Sequence, residues 1–313
     1  MDSLNIHNFV YNEIINGIKS ESSVSIPQCY YVVGRRGYGK TGLLRSIERN
    51  LKDVATYMVL YVDCLMSPLF SIEETINKYY GQKKRLLLLL DDMDIVLANM
   101  ERTEQFRLRS LLYREGAPII IGTGTELAND LIDYQAPFYD AFILFHLKEL
   151  SQDVAIELLN KMRVKSNFHK IDTSSEIVSF IFDEIGRTPE NCRILANIPH
   201  LNAKRDIILR KALKPLSLYY RDKIMNLSPS QRKTLIFMLS EKRPVLLKEI
   251  REGTNQSAGD ISPQLKALSN KGLISTIKQR AKKTEYSITD KLMVLWYKNC
   301  IEKDTLCAAI DKL

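Results

Sequence analysis

The sequence is poor in the residues that staple a fold or hold a metal. Its five cysteines, Cys29, Cys64, Cys192, Cys300 and Cys307, are scattered, and no two have metal-knuckle or redox-motif spacing. An odd, dispersed set excludes a disulfide framework and reads as free thiols in a reducing compartment, so the cytoplasm is the expected location. The four histidines, His7, His146, His169 and His200, are isolated, and no histidine-based metal cluster is expected. The apolar runs, residues 86–90 among them, are short, far below the roughly 20 residues needed to span a bilayer. The opening residues lack a basic stretch and space their apolar side chains at helical intervals, which argues against a secretory leader and against a membrane partner. No tract is of low complexity, and no repeat recurs at a fixed period.

What is present is the composition of an ordinary globular protein: 313 residues, 45% hydrophobic and 26% charged. At roughly 100–200 residues per domain the length implies two or three domains. The net charge of +8 is unevenly placed. Residues 229–298 carry 14 Lys and Arg against 6 Asp and Glu, a surplus of 14 − 6 = +8, and the other 243 residues sum to zero. A basic module on a neutral body suits a polyanionic partner, or else presents a solvated basic face.

Ile6, Val10, Ile14 and Ile18 predict an opening amphipathic helix. Short β-branched or apolar runs at 29–33, 56–62, 86–90, 118–121 and 141–145 read as strands. Between them, 41–51, 71–80 and 106–113 read as helices. Strands alternating with helices predict a parallel sheet covered on both faces. After Leu150 the pattern becomes helical, at 151–162, 174–185 and 189–197. The expected domains are 1–150, an α/β nucleotide-binding domain; 151–214, a helical lid; and 215–313, a linker helix and a further module.

Gly34-Arg35-Arg36-Gly37-Tyr38-Gly39-Lys40-Thr41 fits G-x-x-x-x-G-K-[ST] between a predicted strand and a predicted helix. Glycines let the backbone wrap phosphates, and inward N–H groups form an anion nest. The following helix, with Gly42 in its first turn, adds its positive end. Lys40 suits the β- and γ-phosphates, and the Thr41 hydroxyl suits Mg²⁺. The apolar run 86–90 ends in Asp91-Asp92, so a buried strand delivers carboxylates to the same end of the sheet. Asp91 is the expected metal carboxylate. Asp92 is the expected general base that polarises a water, with helix capping as its alternative. Aspartate reaches less far than glutamate, so slow turnover is expected. ATP and Mg²⁺ are the implied ligands.

These motifs, the strand ending in Gly122-Thr123-Gly124-Thr125 and the helical region after it resemble the AAA+/STAND superfamily of P-loop ATPases. The resemblance is to archaeal-type ATPases ending in a winged helix, with origin-recognition/Cdc6-like initiators as relatives, and it covers roughly residues 24–297. It implies that Thr123 is the polar sensor near the γ-phosphate, with Thr125 as rival. It also implies that Pro189 starts a lid helix in Gly186-Arg187-Thr188-Pro189-Glu190-Asn191-Cys192-Arg193, and that Arg193 is the lid's cation over the phosphates, with Arg187 as alternative. Residues 126–141 lack the arginine that oligomeric relatives present to a neighbouring subunit. Arg107, Arg109 and Arg114 lie earlier and would serve only in another geometry. This fits a switch that opens and closes at least as well as a ring.

The basic module reads as three helices and a hairpin. Residues 228–240 and 245–251 are helical, 253–259 form a polar turn, and 261–270 form a third helix with Pro263 in its first turn, capped by Asp260. The hairpin 275–288 has the basic tip Lys278-Gln279-Arg280-Ala281-Lys282-Lys283. This looks like a winged helix-turn-helix. In a duplex-DNA complex the third helix would enter the major groove, making Ser257, Ser262, Gln264 and Lys266 the candidate contacts. Lys278, Arg280, Lys282 and Lys283 would meet phosphates. The alternative is a winged helix that docks a protein partner or mediates self-association. Trp296 and Tyr297 read as core.

Overall fold

The computed structural model describes residues 7–20, 26–67, 69–125, 129–172, 175–199, 201, 204–278 and 284–302. The chain divides into two compact units: residues 1–161 with 187–192, and residues 162–186 with 193–313.

In chain order the elements begin α1 (Asn8–Ser20), β1 (Cys29–Val33), α2 (Lys40–Leu51), β2 (Tyr57–Asp63), α3 (Ile72–Tyr79) and β3 (Arg85–Asp91). Then come α4 (Met93–Asn99), α5 (Arg102–Leu112), β4 (Ile119–Gly124), α6 (Asn129–Ile132), β5 (Phe142–His146), α7 (Gln152–Lys165), α8 (Glu176–Ile185) and α9 (Pro189–Ala196). The chain continues with α10 (Arg205–Leu213), a 3-10 turn at Lys214–Leu216, α11 (Ser217–Met225), α12 (Pro229–Glu241), β6 (Val245–Leu246), α13 (Leu247–Thr254) and α14 (Ala258–Asn270). It ends with β7 (Ile274–Lys278), β8 (Thr284–Ile288), α15 (Lys291–Trp296) and a π-helix at Tyr297–Glu302.

The first unit holds a five-stranded parallel sheet in the order β2-β3-β4-β1-β5. The central strands β1, β3 and β4 are buried almost throughout, which is why they read as unbroken apolar runs. Alternate side chains feed two cores. Tyr30, Val32, Leu87, Leu89, Ile119 and Ile121 pack with Ile14 and Ile18 of α1 and Leu44 and Ile47 of α2. Tyr31, Leu86, Leu88, Leu90 and Ile120 pack on the other face with Ile76, Leu97 and Leu108 of α3, α4 and α5. The chain is therefore an α/β P-loop fold. α1 is buried through Val10, Ile14, Ile15 and Ile18, while Ile6 of the predicted periodicity lies outside the described residues.

The strand order creates an opening. β1 sits between β4 and β5, so the chain leaves β1 and crosses to the far edge before returning. Such a switch of direction opens a crevice at the carboxyl ends of the strands. At those ends stand Gly34, just after β1, Asp91, the last residue of β3, and Thr123, next to last in β4.

In the second unit, α12, α13 and α14 accompany an antiparallel sheet in the order β6-β8-β7, with β6 between α12 and α13, Val245 paired to Tyr286 and Ile274 to Ile288. Three helices and an antiparallel hairpin are the elements that the sequence predicts for this region. Its core includes Leu235, Leu239, Ile250, Ile261, Leu265 and Leu268. Trp296, 1% exposed, donates its indole N–H to Ser217 Oγ at 2.9 Å, as its reading as core requires. Tyr297 is half-buried.

Two local expectations change. The helix α4, directly after Asp92, was not legible, because seven residues without a side-chain cap carry no periodic signal. The third helix of the winged module begins at Ala258, because the Ser257 hydroxyl accepts from the Asp260 amide at its start. Pro263 consequently falls in the second turn instead of the first, leaving the Gly259 carbonyl without its helical N–H partner.

Candidate functional site

The residues Gly34 to Thr41 form a loop between β1 and α2, anchored at both ends. The Gly34 amide donates to the Gly124 carbonyl at 3.1 Å, and the Leu43 amide to the Gly39 carbonyl at 2.9 Å. Gly37 and Gly39 have φ of 84° and 91°, in the left-handed region that a Cβ resists. Space is tight there too. A Cβ on Gly37 would lie 3.0 Å from Glu190 Cβ, and one on Gly39 would lie 3.2 Å from Pro189 Cγ. The start of α9 thus closes over the loop, and the Glu190 amide donates to the Gly37 carbonyl at 3.2 Å.

From the other side His7 reaches the loop, its Nε2 lying 2.6 Å from the Tyr38 carbonyl. No motif marks His7, which is 31 residues away in sequence, so it escaped the sequence reading. Arg35 and Arg36 are exposed, as are Thr41 and Gly42 in the first turn of α2. A cleft of about 490 Å³ opens beside the loop, lined among others by Gly34, Arg35, Tyr38, Thr125, His146 and Lys148.

Lys40 is 7% exposed, and its Nζ donates to the Gly34 carbonyl at 2.7 Å. Burial lowers its pKa, and the charges of Asp92, Asp91 and Asp94 oppose that shift. The cation and the three carboxylates therefore share one electrostatic neighbourhood, as their distant motifs implied.

Asp91, 4% exposed, ends β3 between two hydroxyls. Thr123 Oγ1 donates to its Oδ1 at 2.7 Å, and the Tyr61 phenol donates to its Oδ2 at 2.9 Å. Thr123 is fully buried and also accepts from the Asp92 amide at 3.1 Å. Tyr61 was missed by the sequence reading, although a phenol inside an apolar strand is a signal that its hydroxyl needs a partner.

Asp92 occupies the N-cap position of α4, but it is left-handed (φ 53°) and its side chain makes no capping hydrogen bond. Burial raises its pKa first, and the neighbouring Asp91 charge adds to the shift. Its carboxylate is thus biased toward holding a proton. Asp94 accepts from the Thr125 amide at 2.9 Å and its hydroxyl at 3.0 Å. Its other oxygen and the Tyr31 phenol are buried without a hydrogen-bond partner among the described residues.

Hard oxygen donors surround this point, which suits Mg²⁺. The nearby Cys64 thiol is pushed up to about 12 by burial. Among the described residues no group of three or more His, Cys, Asp or Glu is arranged to hold a metal ion alone. Mg²⁺ generally takes one or two carboxylates plus substrate phosphates, so the donor set of Asp91 and Thr41 fits.

The three arginines considered for service to a neighbouring subunit are engaged internally. Arg109 donates to the carbonyls of Pro137 and Tyr139, the latter at 2.8 Å. Arg107 pairs with Glu73 at 3.3 Å, and Arg114 stacks on the Tyr80 ring at 3.7 Å. Arg187 donates from Nε to the Leu150 carbonyl at 3.1 Å. Arg193 belongs to the second unit, where its carbonyl accepts from Asn197.

On α14, Ser262 and Lys266 are exposed and Gln264 is half-buried. Ser257 is turned to the helix start, its hydroxyl donating to Asp260 Oδ2 at 2.6 Å. Arg280, Lys282 and Lys283 lie outside the described residues, as does the side chain of Lys278.

No family model and no curated protein matches the sequence. Solved structures do. The chain is similar to the Orc1 protein of Aeropyrum pernix in complex with DNA, at 14% identity and a TM-score of 0.61 over 99% of this chain and 95% of that one. It is similar to a Walker-type ATPase of Pyrococcus abyssi, at 14% identity and a TM-score of 0.59 over 93% and 95%. A RuvB variant of Thermotoga maritima follows, at 16% identity and 0.51 over 95% of each chain. These likenesses show the fold, one shared with the solved Orc1, Walker-type ATPase and RuvB structures. No helix among the described residues is long and apolar enough to cross a membrane.

Proposed function

We propose that this protein is an ATP-binding, slowly hydrolysing ATPase of the AAA+/STAND type, whose nucleotide state controls double-stranded DNA binding or assembly through the C-terminal winged helix. The observation that carries the reading is the Gly34–Thr41 loop between β1 and α2, tied by the Gly34 amide to the Gly124 carbonyl of β4, the strand whose Thr123 holds the Asp91 carboxylate. The parallel sheet with this loop at its switch point, and the likeness to nucleotide-driven ATPases, support it.

The loop amides and Lys40 bind the triphosphate, with Arg35, Arg36, Tyr38 and Pro189 around it. Asp91 and Thr41 hold Mg²⁺, which when bound neutralises charge on the transferred phosphoryl group. Asp92 takes a proton from water as the water oxygen bonds to the γ-phosphorus and the bond to the bridging oxygen breaks. The raised pKa of Asp92 suits a base, and the short reach of aspartate keeps turnover slow. Thr123 senses the phosphates through the two aspartates it joins, with Thr125 as rival. Arg193 is the lid cation. The domains are 1–150, 151–214 and 215–313, and the working compartment is the cytoplasm.

The DNA half rests on the basic surplus of residues 229–298, the winged arrangement, and the fold shared with an Orc1 protein bound to DNA. Ser262, Gln264 and Lys266 read the groove, and the Lys278–Lys283 tip meets phosphates. Ser257 supports that helix as its cap. One observation favours the second reading, a protein-docking winged helix in a signalling or scaffold ATPase: Asp260 stands exposed at the start of α14, where a phosphate backbone would repel it.

The deciding experiment is fluorescence anisotropy of duplex DNA against salt, with no nucleotide, ADP or a non-hydrolysable ATP analogue. The expected result is salt-sensitive affinity that changes with nucleotide, with a log–log slope of about 0.9 per phosphate contacted. Absence of binding in every state would transfer the winged helix to a protein partner. Loss of labelled-ATP binding in Lys40→Ala tests the nucleotide half separately.

A further inference from the structure

β3 lies between β2 and β4, and each neighbour sends one hydroxyl to the carboxylate at its end. Thr123 approaches from β4 and Tyr61 from β2, each taking a different oxygen of Asp91. The register explains how Tyr61 reaches. It pairs with Leu89, two residues before Asp91, so Tyr61, Leu89 and Asp91 project from the same face of the sheet. That is also the face that packs on α2, the helix carrying Lys40 and Thr41.

The Tyr61 ring is held from above. The Arg45 guanidinium, on the same helix α2, lies 3.3 Å from the ring centroid. A cation over a phenol draws electron density from the ring and makes its O–H a better donor. A phenol has one proton, and here it is given to Asp91. The helix that begins with the phosphate-binding lysine therefore reaches the carboxylate by a second route, through Arg45 and Tyr61.

We propose that Tyr61 is a positioning residue for Asp91 as a metal-binding carboxylate, and that Arg45 holds the Tyr61 ring in place. The inference rests on the nucleotide-site reading above. Two hydroxyls on opposite oxygens fix the carboxylate plane and leave each oxygen a lone pair for a metal ion. Partners of a metal ligand orient it and tune its basicity, and removing one typically costs 10–100-fold in metal affinity. A merely structural Tyr61, whose hydroxyl takes the nearest acceptor, would leave metal dependence alone.

The test uses the full chain and a fluorescent ATP analogue, titrated with Mg²⁺ and, separately, in EDTA. In Tyr61→Phe the Mg²⁺ concentration for half-maximal binding rises about ten-fold, while nucleotide affinity in EDTA stays put and the thermal midpoint falls only by the loss of one hydrogen bond. In an Asp91→Asn background the same substitution adds nothing, because its route to the metal is already gone. Arg45→Gln shifts the Mg²⁺ midpoint in the same direction by less. Its side chain is 49% exposed, so it serves as the variant least able to disturb folding.

If the wild type responds to Mg²⁺ and Tyr61→Phe responds identically, the inference fails alone. It also fails if the shift persists in the Asp91→Asn background, or if Tyr61→Phe weakens binding equally in EDTA. Wild-type binding that ignores Mg²⁺ overturns both this inference and the assignment of Asp91 as a metal ligand.

Discussion

The Thr123 hydroxyl joins Asp91 to Asp92, donating to the carboxylate of the first at 2.7 Å and accepting from the amide of the second at 3.1 Å. Both of its hydrogen-bonding roles are engaged inside the protein. Thr123→Val keeps the shape and removes both bonds, stranding a buried amide. The expected loss is about 1–3 kcal/mol in urea unfolding, with turnover reduced in the same variant. Thr123→Ser should recover both. A Thr123→Val protein of unchanged stability with lost turnover would mean that the hydroxyl acts on the nucleotide directly.

Gly124 ends β4 against the Tyr31 ring. A Cβ built there would lie 2.9 Å from Tyr31 Cζ and 3.1 Å from Asp94 Cγ, and nothing yields easily because Tyr31 is fully buried. Gly124→Ala is expected to lose about 1–3 kcal/mol by overpacking. The control is Gly42→Ala, where no atom lies within 4 Å and the backbone is helical. That change should be neutral or stabilising by about 0.5–1 kcal/mol. Chemical unfolding of both, side by side, checks the contrast.

The sheet was legible because its buried strands are unbroken apolar runs, and the phosphate loop because glycine, lysine and threonine have a fixed spacing. The Asp91-Asp92 pair followed from the strand that delivers it. What the sequence did not reveal are groups brought in from far along the chain. His7 closes on the phosphate loop from the start of the sequence, and Tyr61 meets Asp91 only because β2 and β3 are neighbours. The start of α14, at Ser257 and Asp260, was misjudged for a different reason. A serine that reads as a base contact is equally a helix cap, and the local backbone settles which.

His7 gives the site a pH dependence. Burial lowers its pKa, and its hydrogen bond to the Tyr38 carbonyl offsets this only in part. A folded pKa below the unfolded value means that the folded state resists protonation. The stability His7 contributes is present above about pH 6.5 and is lost as pH falls through its depressed folded value. His7→Gln keeps a donor and cannot titrate. Thermal midpoints of the two proteins should agree at pH 8 and separate on acidification, with the wild type falling faster. Parallel curves down to pH 5 would remove His7 from the account.

The outward face of α14 separates the two readings of the winged helix by opposite charges. Lys266 is exposed in mid-helix, and Asp260 is exposed at its start beside the Ser257 cap. If the face enters the groove of a DNA duplex, Lys266→Glu weakens duplex binding by setting a negative charge against the DNA, and relaxes the base preference beneath it. Asp260→Asn removes a repulsion and should raise affinity, although weakening a carboxylate at a helix start slightly destabilises the helix. The two effects have opposite signs in binding, which no general loss of folding would produce. If the face docks a protein, DNA anisotropy stays flat for both variants, while their effects appear in nucleotide-dependent sedimentation. Measuring both substitutions in both assays decides which partner the helix serves.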